Sequence, residues 1–277
     1  MQQSSLNGRW VVLTRSEEKS EELRRSLENR GAKVLVVPVI RHVPAWNDTE
    51  VERVVEARLT FSHLAFASQT AVSFFFEASR RHRTDARAWS TVRIAAVGPR
   101  TAREIQREGL DPFLVSDGGG ATLAQGMIAK EGPERLKRVL LPQSNLARLD
   151  LKAGLEGRGV NVESLTVYKT LPEDSSSMEP LLTRLRAGQE PAAVHFASPS
   201  AVSGFLELCG EAGRRWILSR ETRVIAIGPT TAQALCEAGI TVDGETGTGS
   251  ADETAQRFEE ILRSTLAPLR SAFRDKE

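Results

Sequence analysis

The chain contains nearly the same ten residues twice, and the distance between the two copies limits the architectures open to it. FASQTAVSFF begins at Phe66 and FASPSAVSGF begins at Phe196, so the copies are offset by 196 − 66 = 130 residues. A second pair of segments, RIAAVGPRTAREI and RVIAIGPTTAQAL, keeps the same offset between Gly98 and Gly228. This period is far longer than that of a solenoid of small repeats. The sequence therefore predicts a duplicated unit of domain size.

Within each copy, short apolar runs alternate with polar turns and helical patterns. HLAFA, AVHFA, RIAAVG and RVIAIG have the length of buried parallel strands, and each precedes a small polar turn and a helix. Pro99 and Pro229 stand where the first turn of a helix tolerates a missing N–H. A β-α-β pattern with Gly31 after its helix recurs with Gly159, at an offset of 159 − 31 = 128. Each half is thus predicted to be a doubly wound parallel α/β domain.

A chain of 277 residues can form two such domains, each with its own core. Simple tandem halves would divide between Gly132 and Lys137. Alternatively, the joints lie near Pro38 to Pro44 and near Pro172, at equivalent points after the second strand of each copy. In that case the chain crosses over twice and one domain is discontinuous. The pattern alone is compatible with both arrangements.

Composition and charge exclude several classes of protein. Lys and Arg total 37 against 36 Asp and Glu, so no net field attracts nucleic acid or an anionic membrane. The first residues do not resemble a signal peptide and no apolar run reaches membrane-spanning length, so we expect a cytoplasmic protein. Cys209 and Cys236 lack CxxC spacing, and the four histidines lack HExxH spacing. We therefore expect free thiols and no metal.

The candidate binding residues follow the predicted strands. In a parallel sheet, ligands bind beyond the carboxyl ends of the strands, where helix N-termini offer unpaired N–H groups. Several such ends would suit a ligand with several carboxylates or phosphates, although Ser and Thr are also ordinary helix N-caps. SDGGGAT and GETGTGSAD lack the spacing of phosphate-binding loops and are predicted to be flexible loops or helix entries. The candidates at these turns are Ser68, Gln69, Thr70, Gly98, Thr101, Ser198, Ser200, Gly228, Thr230 and Thr231.

Three further residues stand out. Arg15 ends the first strand, and Arg148 is predicted early in the helix after LLPQSN; both could bind a carboxylate, or lie on the surface over the sheet edge. Tyr168 is the single tyrosine of the chain and ends the segment VESLTVY. Its phenol can donate or accept a proton, although a lone tyrosine can equally be a packing residue. The acidic segment PEDSSSMEP, residues 172–180, is predicted to be an exposed loop without a role.

Together these segments resemble the uroporphyrinogen-III synthase family. The resemblance is carried by VVLTR, FASQTAV with its twin FASPSAV, AAVGPRTA with AIGPTTA, and LPQSNLAR followed by the run that ends in VY; it spans Gly8 to about Leu262. It implies two α/β domains joined by a two-stranded β connector, one made of residues 1–40 and 173–268 and the other of residues 43–169, with a C-terminal tail at 269–277. It also implies a substrate cleft between the domains and neither metal nor organic cofactor.

The resemblance further implies an activity in tetrapyrrole and heme biosynthesis. Family members cyclise hydroxymethylbilane to uroporphyrinogen III, with loss of water and inversion of the terminal (D) pyrrole ring. The implied ligand is a linear tetrapyrrole polycarboxylate; we expect a monomer without nucleic-acid or membrane partners. Many members have a glycine-rich RG…GR stretch where this chain has PQSNLAR, from Pro142 to Arg148. Carried over, the catalytic candidate is Tyr168, and the substrate-binding set is the turn residues above together with Arg15, Ser144 and Arg148.

Two other functions remain open to a chain of this pattern. A cytosolic two-domain binding protein that closes by hinge motion around a small polyanionic ligand would need the same hydroxyl-rich turns. A nucleotide-dependent enzyme is disfavoured because the phosphate-loop spacings are absent. Turnover of hydroxymethylbilane without added metal or nucleotide would distinguish the synthase from both.

Overall fold

The structure is a computed structural model that describes residues 6–263; the predicted tail at 269–277 lies outside the described residues, as does the end of the first predicted domain. The strands are β1 (Trp10–Leu13), β2 (Lys33–Val36), β3 (Ile40–Pro44), β4 (His63–Phe66), β5 (Arg93–Val97), β6 (Pro112–Ser116), β7 (Arg138–Ser144), β8 (Asn161–Pro172), β9 (Ala193–Phe196), β10 (Arg223–Ala226) and β11 (Gly244–Glu245). The α-helices are α1 (Glu17–Asn29), α2 (Asp48–Glu56), α3 (Gln69–Arg81), α4 (Gly98–Arg107), α5 (Gly120–Glu131), α6 (Asp150–Glu156), α7 (Glu179–Arg186), α8 (Pro199–Leu208), α9 (Gly210–Ser219), α10 (Pro229–Glu237) and α11 (Ala251–Arg263).

The chain divides into two compact units. One contains the described residues up to Arg41 and from Leu171 onward, and the other contains His42–Thr170. The chain passes from the first unit to the second within β3 and returns within β8, and these two strands are neighbours at one edge of a sheet. The predicted fold class, two doubly wound parallel α/β domains, is confirmed.

The first unit contains a five-stranded sheet in the order β11-β10-β9-β1-β2, with every pair parallel. Successive strand residues contribute to different core clusters, as a sheet covered on both faces requires. Val12 and Val194 pack with the residues of α8, α9 and α10, whereas Val11 and Ala193 pack with α1 and α11. Leu23 and Leu27, the apolar pair of α1, are buried there.

The second unit contains a six-stranded sheet in the order β3-β8-β7-β4-β5-β6, and the pairs from β8 to β6 are parallel. It repeats the two-faced arrangement. Leu64 and Phe66 of β4 pack with α2, α3 and α4, whereas Ala65 between them packs with α5 and α6. The repeated FAS segment therefore begins at a buried strand end in both units, which positions its serine at the carboxyl edge of each sheet.

Both glycine-rich segments lead into a helix, one of the two outcomes expected from the missing phosphate-loop spacings, although the second begins with strand β11. Gly119 is the N-cap of α5, and a Cβ on Gly120 would lie 2.8 Å from a carboxylate oxygen of Asp150, so this glycine allows α5 and α6 to approach closely. In the first unit, Ser250 and Glu253 form a reciprocal capping box at the start of α11.

The prediction of an exposed loop at PEDSSSMEP is wrong. The strand β8 extends to Pro172, a 3₁₀ helix covers Ser175–Met178, and α7 begins at Glu179. The side chain of Met178 is fully buried in the core of the first unit. A single apolar residue in a polar segment gives no periodicity, so its burial was not visible in the sequence. Among residues 6–263, none of the helices combines the length and apolar character that crossing a membrane requires.

Candidate active site

Each sheet has one point where the strand order reverses, and both points carry predicted site residues. In the first unit the connections lead from β1 to β2 in one direction and from β9 to β10 and β11 in the other. In the second unit they lead from β4 to β5 and β6 in one direction and from β7 to β8 in the other. Ligands of open α/β sheets bind in the crevice outside such a reversal. Arg15 and Ser198 follow the strands at the first crevice, and Ser68 and Ser144 lie at the strand ends of the second.

Ser68 and Ser198 act as helix N-caps in the same way. Each has extended backbone and accepts a hydrogen bond on its Oγ from the backbone N–H three residues later, at 3.1 Å in both cases. Ser198 Oγ also lies 3.0 Å from Ser200 Oγ. Ser68 Oγ instead lies 3.4 Å from the hydroxyl of Tyr168. The capping interpretation is therefore correct for both serines, and the second unit adds a phenol beside its cap.

A β-bulge aims Tyr168 at this cap. The register between β7 and β8 shifts after Gln143, so that Ser144 pairs with Tyr168 rather than with Val167. Leu165 and Val167 already pack toward α3, and without the shift the next side chain would point to the opposite face. Instead Tyr168 belongs to the same core cluster as those two residues and is 7% exposed.

The Tyr168 ring is held by two other rings. Phe74 of α3 stacks on it with centroids 5.3 Å apart and planes 14° apart, and His42 meets it edge-on at 5.2 Å. His42 Nδ1 lies 3.2 Å from Thr170 Oγ1. Sequence reasoning did not single out Phe74, His42 or Thr170. The ring of Tyr168 is a packing group, as one of the two interpretations of this residue predicted. Its hydroxyl, however, lies beside the N-terminus of α3.

The duplication contained a signal for Phe74. The two copies of the repeated segment differ at Phe74 and Gly204, which stand 130 residues apart, and Tyr168 corresponds to Ile40 at the offset of 168 − 40 = 128. In the first unit a Cβ on Gly204 would lie 2.4 Å from the Val39 carbonyl and 2.6 Å from Ile40 Cγ2. The residues that end the repeated β-α-β pattern thus pack on equivalent helices, on α3 in the second unit and on α8 in the first. Only in the second unit is this contact an aromatic pair that carries a hydroxyl.

The other turns differ in backbone conformation. Gly98 has φ +77°, which favours glycine, whereas Gly228 has φ 178°, which any residue adopts. A Cβ on either glycine would meet nothing within 4 Å, so both leave open space at the start of a helix. The side chains of Thr101 and Thr231 are buried, with 4% and 2% exposed, while Thr230 is exposed. These turns therefore offer backbone N–H groups more readily than the hydroxyls of Thr101 and Thr231.

The remaining candidates lie on loops or first turns. Arg148 does not lie early in a helix as predicted, because α6 begins only at Asp150; its side chain is 68% exposed and lies 3.9 Å from the Asp150 carboxylate. Arg15 is half-buried beyond β1. Gln69 and Thr70 are half-buried in the first turn of α3. Ser144 Oγ accepts a hydrogen bond from the N–H of Leu146 and so shapes the turn after β7.

Neither cysteine is paired: Cys209 is buried and Cys236 is half-buried. Burial raises the pKa of the Cys209 thiol, which disfavours a reactive thiolate there. Within residues 6–263, no group of three or more His, Cys, Asp or Glu side chains is arranged to hold a metal ion. The polar groups that the predicted site residues bring to the crevices are hydroxyls, backbone N–H groups and arginines.

Both the sequence and the fold are similar to those of known proteins. Residues 21–252 match the family model described as Uroporphyrinogen-III synthase HemD. A protein of Methanothermobacter thermautotrophicus that carries the name uroporphyrinogen-III synthase provisionally is 30% identical over 235 residues, 83% of this chain and 90% of that protein. The uroporphyrinogen-III synthase of Chlorobaculum parvum is 27% identical over 241 residues, 84% of this chain and 91% of its own length.

Solved structures agree in fold. A mutant uroporphyrinogen III synthase of the extremely thermophilic bacterium Thermus thermophilus superposes with a TM-score of 0.64 at 22% identity, covering 92% of this chain and 99% of that one. The Helicobacter pylori uroporphyrinogen-III synthetase gives a TM-score of 0.57 at 17% identity, covering 92% and 100%. The family match covers most of the described residues, including both copies of the repeated segment. The chain belongs to the uroporphyrinogen-III synthase family.

Proposed function

We propose that this protein cyclises hydroxymethylbilane to uroporphyrinogen III, with loss of water and inversion of the terminal pyrrole ring, and that Tyr168 assists the departure of the hydroxyl group. The first part is supported by membership of a family of synthases. The second part is carried by one observation: the Tyr168 hydroxyl lies 3.4 Å from Ser68 Oγ at the N-terminus of α3.

The environment of that hydroxyl suits proton transfer. Ser68 Oγ already accepts a hydrogen bond from the N–H of Ala71, and its own proton can be directed to the phenol oxygen. The positive end of the α3 dipole lies beside the same oxygen and stabilises negative charge on it. Phe74 and His42 restrict the ring, so the phenol keeps its direction while a substrate binds.

The proton balance of the reaction needs only one such group. Tyr168 donates a proton to the terminal hydroxyl, the C–O bond breaks, and water leaves a resonance-stabilised azafulvenium cation. The substituted carbon of the far ring attacks this cation, giving a spirocyclic intermediate that fragments and closes again with that ring inverted. A proton is lost when the last pyrrole regains its aromaticity, and it restores the phenol. The overall change is therefore the loss of one water.

The acetate and propionate groups of the substrate bind at the two crevices. Each offers helix N-termini whose backbone N–H groups bind carboxylates, at Ser68 and Gly98 in the second unit and at Ser198 and Gly228 in the first. The open space over Gly98 and Gly228 lets a carboxylate approach the main chain. Arg15, Arg148, Ser144 and the remaining turn residues supply further donors. Because binding is distributed over backbone groups, we expect single side-chain substitutions to have moderate effects.

Product analysis tests the proposal. The purified protein is mixed with freshly generated hydroxymethylbilane, the products are oxidised, and the porphyrin isomers are separated by chromatography. Uncatalysed closure gives the type I isomer, so a shift to type III establishes the reaction. Type I product alone from the folded protein, with and without added metal, would contradict it and return the hinge-closing binding protein as the better hypothesis.

Lys169→Ala provides a matched control for Tyr168→Phe. Lys169 is the exposed neighbour of Tyr168 on β8, and its side chain points away from the core cluster. If Tyr168 assists water loss, Tyr168→Phe lowers the rate of type III formation while Lys169→Ala leaves it unchanged. Equal rates for the two variants would remove Tyr168 from the mechanism without affecting the assignment of the reaction.

A further inference from the structure

The turn that follows β7 contacts the main chain of β8 at Tyr168 and just beyond it, through one residue. The backbone N–H of Asn145 donates to the Tyr168 carbonyl at 3.2 Å. The side-chain Oδ1 of Asn145 accepts from the backbone N–H of Thr170 at 3.0 Å. Because the partner is an N–H donor, the orientation of the asparagine amide is determined by the contact. Asn145 thus makes a two-point contact with the main chain of β8.

This contact lies directly beyond the bulge that aims Tyr168 at Ser68. A bulge interrupts the regular ladder of hydrogen bonds. Beyond it β3 still neighbours one side of β8, but the side that faced β7 needs other partners to keep one conformation. The last residue of β7, Ser144, already pairs with Tyr168, and no further β7 residue continues the ladder. The two hydrogen bonds from Asn145 take over where the ladder ends.

The same contact reaches the Tyr168 ring by a second path. Thr170, whose N–H is held by Asn145, has its Oγ1 3.2 Å from Nδ1 of His42. The His42 ring in turn meets the Tyr168 ring edge-on. A substitution of Asn145 can therefore change the position of Tyr168 in two ways. One is through the main chain of Tyr168, and the other is through the His42 ring, one of the two rings that confine the tyrosine.

We propose that Asn145 is a positioning residue for Tyr168: its side-chain amide fixes the bulged end of β8 and thereby the direction of the phenol. Asn145 is exposed and lies outside the apolar core, so truncating it leaves the packing of the unit in place. Small misplacements of a reacting group reduce rates severely, by up to about 10²-fold per ångström. The expected effect of an Asn145 substitution on the reaction rate rests on the proposed function of Tyr168. Its expected effect on the orientation of the Tyr168 ring does not.

The single tyrosine makes the ring directly observable. Protein labelled with ¹³C in the tyrosine ring gives one tyrosine signal by NMR, and that signal reports on Tyr168 alone. We expect Asn145→Ala to shift or split this signal. Asn145→Asp retains the acceptor oxygen and should keep the wild-type signal. Asn47→Ala is the matched control, because Asn47 is also exposed and accepts a backbone N–H, that of Glu50 at the start of α2, away from Tyr168.

A double-mutant cycle then measures the effect on catalysis. We expect Asn145→Ala to lower kcat by about three- to tenfold with little change in KM. In the Tyr168→Phe background the same substitution should change kcat by less than about twofold, because residues that act through one another are not additive. Asn145→Asp and Asn47→Ala should stay within about twofold of wild type in kcat, as conservative and remote changes do.

Two results would overturn the proposal. One is a wild-type tyrosine signal in Asn145→Ala, which would make Asn145 an ordinary turn residue. The other is the same loss of kcat in both backgrounds, which would mean that Asn145 acts on the reaction without Tyr168. If the wild-type protein forms no type III product, the proposed function fails instead, and the NMR comparison alone decides the role of Asn145.

Discussion

The hydroxyl of Tyr168 lies 3.4 Å from Oγ of Ser68, the residue that caps helix α3. The tyrosine comes from β8, the strand next to the edge of the six-stranded sheet, and the serine follows β4 near its middle, 100 residues earlier in the chain. The serine belongs to the repeated segment and the tyrosine to the end of the repeated β-α-β pattern. In the second unit an acid candidate thus lies at a helix N-terminus, while in the first unit Ile40 lies against Gly204.

Replacing Tyr168 by phenylalanine keeps the stacking on Phe74 and removes only the hydroxyl. We expect kcat for type III formation to fall by about 10²-fold, the low end for general acid catalysis, and not to vanish. Initial rates with Lys169→Ala in parallel check this. Complete loss of type III product from a folded variant would show that the phenol is indispensable and contradict the expectation.

The two capping serines allow a matched comparison. Ser68→Ala and Ser198→Ala each remove a 3.1 Å cap, so both should lower the free energy of unfolding by about 1 kcal/mol. Ser68→Ala should in addition lower kcat, because only Ser68 contacts Tyr168. Thermal unfolding and steady-state kinetics test this together. An equal effect of the two substitutions on kcat would mean that the serine–tyrosine contact does not matter for the chemistry.

The equivalent glycines Gly98 and Gly228 should respond differently to alanine. At φ +77° an alanine is strained, so Gly98→Ala should destabilise the protein by about 1–2 kcal/mol. Gly228 is extended, so an alanine fits its backbone conformation. Alanine is a poorer N-cap than glycine, but it also lowers the conformational entropy of the unfolded chain, and the two effects offset each other. The free energy of unfolding of Gly228→Ala should therefore change by less than about 0.5 kcal/mol. The added methyl should still raise KM by occupying the space above the helix N-terminus. A KM unchanged by Gly228→Ala would exclude that turn from substrate binding.

The ion cluster of Glu163 with Arg53 and Arg138 predicts a pH dependence of stability. Burial raises the pKa of the Glu163 carboxyl, but the hydrogen bonds and charges of the two arginines lower it by more, so its pKa lies below the ordinary value of 4.5. A depressed carboxyl pKa contributes stability that is present above the unfolded pKa and is lost as the pH falls through the folded value. Unfolding free energies from pH 7 down to pH 3 should therefore decline less steeply for Glu163→Gln than for wild type.

At neutral pH, Glu163→Gln should itself cost about 2 kcal/mol, because a half-buried carboxylate with two charged partners is lost. Glu179→Gln is the control: its partner Arg186 is 59% exposed and Glu179 is 58% exposed, and such surface pairs contribute less than about 1 kcal/mol. If both variants lose the same stability, the cluster at Glu163 has no special role in holding β7, β8 and α2 together.

Family membership and fold could be read from the sequence because the duplication repeats local patterns. Short apolar runs predicted β4, β5, β9 and β10, the proline positions predicted the starts of α4 and α10, and the serines of the repeated segment predicted two helix N-caps. These features depend on neighbours within one turn or one strand, so they leave a trace in the order of residues. Arg148 was misplaced by this reasoning, since nothing in PQSNLARLD marks where the helix begins.

The direction of Tyr168 was decided only by the tertiary structure. In the sequence it is the last residue of an alternating run, and alternation would have turned it away from Leu165 and Val167. The register shift against Ser144 reverses its face, and the contacts to Asn145, Phe74 and Ser68 come from three other segments of the chain. A bulge depends on the pairing between two strands, and pairing between distant strands leaves no periodic mark in either of them. The sequence therefore determined which residues are candidates for the site, and the packing of β8 on β7 and α3 determined that Tyr168 lies beside Ser68.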